Sequence, residues 1–306
     1  MHELTVRVPA SSANLGPGFD VLGLALELYL EVRASEAQPG RPAVRLAGPH
    51  TEGIATDGSN LVLRAYRLAF ERAGRTAPPV SLNLSNSIPL ARGLGSSGAA
   101  IVAGITLANH YGSLGLSRPR VVALAAELEA GHPDNVAASC LGGLTIACPA
   151  ETGAAAQMEV LCLPWPAAIS VVVAIPEFRL ETAQARAVLP SSYSRADAVF
   201  NLQRLGLLVG ALAGGRPNAQ HIAAALADRI HQPYRAPLVP GLREALQLRA
   251  PGLLGVTLSG AGPSLIAFVE GDTAPTIEAL GRVYDRLGIA ADVRPVAVAS
   301  QGATVV

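Results

Sequence analysis

Lysine is absent from this chain: all 23 of its basic side chains are arginine. A Walker A loop, which ends in Gly-Lys-Ser or Gly-Lys-Thr, is therefore excluded. Any phosphate clamp has to be built from guanidinium forks or backbone N–H groups. Cysteine is nearly as scarce. Cys140, Cys148 and Cys162 are odd in number and form no C-x-x-C pair, so there is no disulfide framework to read, and buried free thiols in a reducing compartment are expected. Excess charge is missing as well: 23 acidic residues face 23 basic ones, and only 15% of the chain is charged. That excludes the basic face of a nucleic-acid binder and the polybasic patch of a membrane-surface protein. Apolar runs such as Leu22 to Leu30 and Leu205 to Ala213 are too short or too interrupted to span a bilayer. Residues Met1 to Val8 alternate like a strand and carry no basic start followed by an apolar stretch, so no signal peptide is read. A soluble, cytoplasmic protein with neither nucleic-acid nor membrane partners is expected.

What is present is apolar and long. The chain has 306 residues, 50% of them hydrophobic, enough for one large or two medium domains and too apolar for disorder. Periodicity gives strands at Thr5 to Pro9, Leu26 to Ala34, Val80 to Leu84, Gly142 to Ala147, Ile169 to Ile175, Leu253 to Ser259, Ser264 to Glu270 and Ala290 to Ala297. Helical spacing covers Asn60 to Ala73, Ser96 to Tyr111, Arg118 to Glu129, Glu181 to Val188, Ser194 to Leu212, Ala219 to Ala227, Pro240 to Gln247 and Ala274 to Leu287. A turn is read at Pro39-Gly40-Arg41-Pro42. A break in period lies between Pro149 and Pro166, where Thr152-Gly153-Ala154-Ala155-Ala156 and Pro164-Trp165-Pro166 are rich in breakers. Two domains, 1–160 and 161–306, follow. Strands and helices mix in both halves with hairpin-like pairs, so the class is α+β.

The most informative segment is Pro89-Leu90-Ala91-Arg92-Gly93-Leu94-Gly95-Ser96-Ser97-Gly98-Ala99. A glycine-rich loop feeding a long helix leaves backbone N–H groups unpaired at the positive end of the helix dipole, which makes a seat for phosphate. Serine hydroxyls beside it suit a phosphate oxygen or Mg²⁺. The same pattern also serves as a plain helix cap. Pro9 to Asp20 reads as a polar turn after the first strand, in which Asn14 and Asp20 make Asx-type bonds or grip a substrate. Glu129 sits at a helix end where the dipole disfavours a carboxylate, which suits a metal role shared with Ser97. His132 has no second histidine near it, so zinc is disfavoured. Ser259-Gly260-Ala261-Gly262-Pro263-Ser264 is a glycine turn between strands, either a tight hairpin or a cover for the same anion. Arg186 and Arg235 stand beside turns, as solvated charges or as a bidentate grip on a carboxylate or phosphate.

Taken together, these segments resemble the GHMP small-molecule kinases. Pro89 to Ala99 is similar to their phosphate loop and Ser259 to Ser264 to their third motif. Pro9 to Asp20, Gly131-His132-Pro133-Asp134-Asn135-Val136 and Asp228-Arg229-Ile230-His231-Gln232-Pro233-Tyr234-Arg235 are similar to the branch that phosphorylates homoserine. The match runs through the whole chain in order. The resemblance implies a two-domain α+β fold, with a ribosomal S5 domain 2-like N-terminal domain and a ferredoxin-like C-terminal one. It implies ATP and Mg²⁺ as cofactors, L-homoserine as the acceptor and a homodimer, with the product serving threonine biosynthesis. Residues Pro89 to Ala99, with Asn60, Gly260 and Gly262, would bind ATP. Ser97 and Glu129 would hold the metal, with Glu127 the alternative. Asn14, Asp20, His132, Asn135, Arg186 and Arg235 would contact homoserine; Asp20, Arg186 and Glu129 are the expected catalytic set. Two residues depart from most relatives, Gly98 where alanine is usual and Ala130 between Glu129 and Gly131. A kinase of the mevalonate type and a non-catalytic ligand sensor are the rival readings.

Overall fold

Alternating apolar residues in the first thirty-six positions build two long antiparallel strands, β1 (Leu4–Asn14) and β2 (Gly18–Glu36). In the computed structural model, which describes residues 2–37, 42–151, 157–213 and 217–306, they form the spine of a seven-stranded sheet. Its other strands are β3 (Val44–Ala47), β4 (Val80–Asn86), β5 (Leu144–Pro149), β6 (Met158–Leu163) and the terminal β11 (Thr304–Val305). The free edge of β2 is shared. Leu22 to Leu24 pair with β5, and Leu30 to Glu36 pair with β4. β3 runs parallel to β4, and the remaining pairings are antiparallel.

A second sheet of four antiparallel strands has the order β10-β7-β9-β8, made of β7 (Ile169–Pro176), β8 (Leu253–Leu258), β9 (Leu265–Glu270) and β10 (Ala291–Pro295). β7 is apolar apart from Ser170 because both of its faces are buried. Val171, Val173 and Ile175 join the core shared with the first sheet, while Val172 and Ala174 join a second core with Leu242, Leu280 and Tyr284.

Helices fill the space between. They are α1 (Leu61–Arg72), α2 (Ser96–Gly112), α3 (Arg118–Leu128), α4 (Asp134–Leu141), α5 (Thr182–Ala187), α6 (Arg195–Ala213), α7 (Ala219–Ala225), α8 (Gln232–Arg235), α9 (Leu242–Ala245) and α10 (Ala274–Leu287). α2 is apolar all round because it is central: Ile101, Val102, Ile105 and Leu107 are each fully buried. α1 starts at Asn60, whose Oδ1 accepts from the Val62 N–H at 3.0 Å while its Nδ2 donates to the Ala55 carbonyl at 2.7 Å. Asn60→Ala is expected to lower stability by about 1–2 kcal/mol, from one lost cap and one orphaned buried carbonyl. A urea titration checks this.

The α+β class and two-sheet architecture match the reading from sequence. Several details differ. Pro9 to Asp20 is not a wide turn. Both strands continue through it, and only Leu15 to Pro17 turns the chain, with register shifts after Pro9 and Ala13 taking up the extra residues. β6 occupies part of the stretch read as a break. It crosses the 160/161 division while paired to β5, and β11 returns the last residues to β1. α4, β3 and β11 were not visible as periodic segments. Cys140 is buried as expected, but Cys148 and Cys162 are exposed, and all three are free thiols. The turn at residues 39–42, except Pro42, and the Thr152 to Ala156 stretch lie outside the described residues. α6 is longer than the apolar run read there, and by length and composition alone it is sufficient to cross a membrane. Its buried Leu208 and Leu212, and the Asn201 side chain donating to Asp228 at 2.8 Å, fix it on this fold.

Candidate functional site

Between β4 and α2 the chain is stretched over both sheets, and its carbonyls are tied down one after another. The Ala91 carbonyl accepts from Leu180 N–H at 3.3 Å, Arg92 from Ser264 N–H at 3.1 Å, Gly93 from the Ser259 hydroxyl at 2.7 Å, and Leu94 from Ser11 N–H at 3.2 Å. With the acceptors held on the far side, the donors face a cleft. The first helical bond of α2 runs from Ala99 N–H to Gly95 O, and Gly95 offers no capping side chain. The amides of Ser96, Ser97 and Gly98 therefore have no intrahelical acceptor and carry the positive end of a 17-residue helix. This geometry demands glycine at position 95. Its φ is +65°, and a Cβ there would lie 2.0 Å from the Ser11 hydroxyl and 3.0 Å from Asn135 Oδ1.

The cleft has a volume of about 530 Å³. Pro89, the loop from Ala91 to Gly98, Asn14, Glu129, His132, Asp134, Asn135, Arg186, Arg235 and Gly260 all line it. The second glycine turn closes one side: the Gly260 amide donates to Ala13 O at 3.1 Å, and the Ser259 Oγ, whose proton goes to Gly93 O, accepts from the Ser12 hydroxyl at 2.8 Å. Both halves of the chain thus supply the site. The buried serines of β1 are the joints, since the Ser11 hydroxyl donates to Asn135 Oδ1 at 2.9 Å.

Charges converge at the other end. Asp20, with φ +57°, accepts from Arg186 at 2.7 and 3.2 Å, and His132 Nδ1 lies 3.4 Å from it. Burial pushes the Asp20 carboxyl up, but hydrogen bonds from His132 and Arg186 overcome it and hold the group well below the usual carboxylate range. Asn14 spends both ends of its amide inside the protein: Oδ1 accepts from Asp20 N–H at 3.1 Å and Nδ2 donates to Gly260 O at 2.9 Å. Arg235 is 1% exposed. Its Nε donates to Ala185 O at 3.0 Å, and its Nη1 donates to Gly260 O at 3.1 Å and to His231 Nδ1 at 3.3 Å. Burial, then the neighbouring Arg186 charge, bring its guanidinium down to about 10. None of the described residues engages Arg235 Nη2.

Glu129 and Asp134 form the acidic side. Burial, then the Asp134 charge, push Glu129 up to about 7; burial, then Asp20, push Asp134 up to about 6. Two carboxylates raised in this way suit a divalent cation, and Ser97 adds a hydroxyl on the same cleft. Among the described residues no three His, Cys, Asp or Glu side chains gather at metal-binding distance. A cation here would rest on one or two protein oxygens and phosphate. Glu127 faces outward and accepts from Arg72 at 2.8 and 3.1 Å. Raised acids lose stability as pH climbs from the unfolded value, near 4.5, through the folded one. In chelator-treated protein the wild-type melting temperature is therefore expected to fall relative to Glu129→Gln between pH 4.5 and 7. Melts across that range read the difference directly.

Five expected site residues do not line this cleft, Asp20 reaching it only through Arg186 and His132. Leu90 lines an adjoining pocket with Pro89 and Arg92, Ala99 is buried in α2, and a Cβ added to Gly93 would lie 2.9 Å from the Gly262 carbonyl beneath it. Asn60 is occupied as the cap of α1. Asp134, which with Asp20 is a candidate general base by residue type, also lines the cleft. Phe19 and His231, which the quoted motifs contain without marking, do not line the cleft but stand against Arg186 and Arg235, which do.

Known proteins resemble this chain in sequence and fold. Residues 60–143 match the GHMP kinases N terminal domain family and residues 201–285 match GHMP kinases C terminal. The homoserine kinase of Solibacter usitatus is 44% identical over 297 residues, covering 97% of this chain and 95% of that protein. That of Gloeobacter violaceus is 46% identical, over 90% of each chain. The crystal structure of homoserine kinase from Cytophaga hutchinsonii superposes with a TM-score of 0.84 at 27% identity, covering 100% of this chain and 98% of that one.

Proposed function

The chain belongs to the GHMP kinases, and on that premise we propose that it transfers the γ-phosphoryl group of ATP to the hydroxyl of L-homoserine, giving O-phospho-L-homoserine and ADP. The observation that carries this reading is the loop 91–95, whose carbonyls are tied away so that the Ser96 to Gly98 amides meet the cleft that Arg186 and Arg235 also line. The amides cradle the triphosphate. The homoserine hydroxyl attacks the γ-phosphorus in line, the bond to the β–γ bridging oxygen breaks, and the hydroxyl proton leaves to solvent or to phosphate. Amides and Arg186 stabilise charge spread over the transferring group. Arg235, through its uncommitted Nη2, takes the substrate carboxylate. Asp20 keeps lone pairs for the substrate ammonium and is too acidic to act as a general base at neutral pH. Ser97 and Glu129 would hold Mg²⁺, which when bound neutralises phosphate charge. Product entry into threonine synthesis and a cytoplasmic location belong to the same reading.

A homodimer fits as well. α6 exposes Val199 and Leu202, with Val199 43% and Leu202 67% accessible, and added Cβ atoms at Gly206 and Gly210 would meet nothing within 4 Å. That uncharged face suits a second copy.

ADP release measured with L-homoserine, D-homoserine and mevalonate tests the activity. L-Homoserine is expected to exceed both others by about 100-fold or more in kcat/KM. A preference for mevalonate, or nucleotide binding without turnover, overturns the reading.

A further inference from the structure

Two guanidiniums of like charge, Arg186 and Arg235, stand side by side with Arg235 almost fully buried. Asp20 neutralises the first, and only carbonyls and one imidazole nitrogen hold the second. One feature is common to both. The Arg186 Cζ lies 5.6 Å and the Arg235 Cζ 5.3 Å from the centroid of the Phe19 ring, inside the range where a cation is drawn to an aromatic face. The ring does not float. It stacks on the His231 imidazole, with centroids 5.2 Å apart and planes 20° from parallel. His231 is fixed in turn, because its Nε2–H donates to Gly16 O at 2.8 Å and its Nδ1 accepts from Arg235. Its backbone N–H donates to Asp228 at 3.0 Å, which anchors the turn that carries it.

We propose that Phe19 is a positioning residue for the acceptor subsite: its ring sets the aim of Arg235, which takes the substrate carboxylate, and its spacing from Arg186 beside it. The inference rests on the homoserine reading given above and deepens it. A ring that merely fills space would be replaced without loss by leucine. A ring that aims two cations would not, whereas tyrosine keeps the same face. The electrostatic share also matters, since the negative face offsets part of the repulsion between the paired guanidiniums, which an aliphatic side chain leaves unscreened.

The test compares wild type, Phe19→Leu and Phe19→Tyr on L-homoserine and on 3-aminopropan-1-ol, which is homoserine without its carboxylate. Phe19→Leu is expected to raise KM for homoserine by about tenfold to fiftyfold. Its KM for ATP is expected to stay within about twofold of wild type, because the triphosphate seat is built from the Ser96 to Gly98 amides. Phe19→Tyr is expected to fall within about threefold of wild type on both substrates. The ratio of kcat/KM between the two acceptors should shrink in Phe19→Leu, because only the carboxylate-bearing acceptor loses a partner. If wild type does not favour homoserine over the carboxylate-free analogue, the carboxylate reading of the arginines is wrong and the proposal goes with it. If wild type discriminates but Phe19→Leu keeps the ratio, the proposal is wrong and the reading stands. Should Phe19→Leu not fold, Phe19→Met, apolar and similar in volume, takes its place with the same expected outcomes.

Discussion

Gly95→Ala is expected to reduce kcat/KM for ATP by about a thousandfold. Two independent effects act at that position. The backbone there has φ +65°, which an alanine adopts only at a cost of about 1 kcal/mol. The added methyl would also lie 2.0 Å from the Ser11 hydroxyl, so either β1 or the loop has to move. β1 is pinned by its ladder to β2, and Ser11 is engaged with Asn135, so the loop gives way. A shift of the Ser96 to Gly98 amides by a fraction of an ångström misaligns several donors at once. Losing one preorganised donor costs about a hundredfold to a thousandfold, and a misplacement near 1 Å costs about a hundredfold. Steady-state kinetics against ATP, with circular dichroism to confirm folding, measures the effect. A fall of less than tenfold in a folded variant would mean that the loop amides do not bear on the transferring phosphate.

Asp20→Asn is expected to raise KM for L-homoserine by about 30- to 100-fold while kcat changes by less than about fivefold. Asparagine is nearly isosteric, so β2 should keep its path, but the amide loses the charge that balances Arg186 and half of its acceptor capacity. Arg186 then loses its ion-pair partner while the Arg235 charge stays close by. The binding subsite loosens, whereas the phosphate seat, built from backbone, does not. The strongly acidic character of Asp20 has a further consequence. A carboxylate held this far below its ordinary range is already ionised throughout pH 5–9, so kcat should show no limb assignable to it there. Initial rates over a homoserine series at several pH values separate the outcomes. A collapse of kcat with KM unchanged would make Asp20 a general base.

Much of this site could be read directly from residues. Gly93-Leu94-Gly95-Ser96-Ser97 before an apolar helix stated its own geometry, because glycine and helix-start chemistry are local. The run at 169–176 was legible for the same reason, since burial on both faces leaves Ser170 as its one polar position. What remained hidden depends on partners distant in sequence. β3 and β11 are strands of four and two residues whose only reason to exist is the ladder they complete. α4 begins within Gly-His-Pro-Asp-Asn, where loop-like residues mask a helix that Pro133 and Asp134 in fact start. The double duty of Asn14 was invisible, because its amide meets Gly260 across 246 positions of chain. Arg235 reads from sequence as a solvated charge or one arm of a bidentate grip, and its burial is what the sequence does not show. Its burial follows from carbonyls at Ala185 and Gly260 that only the fold brings to it.

Asn60 shows the limit of transferring a role by motif. The resemblance implied an ATP contact there, and here both ends of its side chain are committed within the protein, to Val62 N–H and Ala55 O. The ambiguity between Glu127 and Glu129 ended differently. Two residues apart at a helix end, they point to different sides, one to Arg72 and solvent, the other into the cleft. Helical phase decides that outcome, and sequence spacing alone already implied that both could not share a face.

A crystal structure with L-homoserine and a non-hydrolysable ATP analogue bears most directly on the phosphate seat. The β- and γ-phosphate oxygens should lie within about 3.2 Å of the Ser96, Ser97 and Gly98 amide nitrogens, with the acceptor carboxylate against Arg235. A triphosphate bound away from Gly95, with those amides facing only solvent, would contradict it.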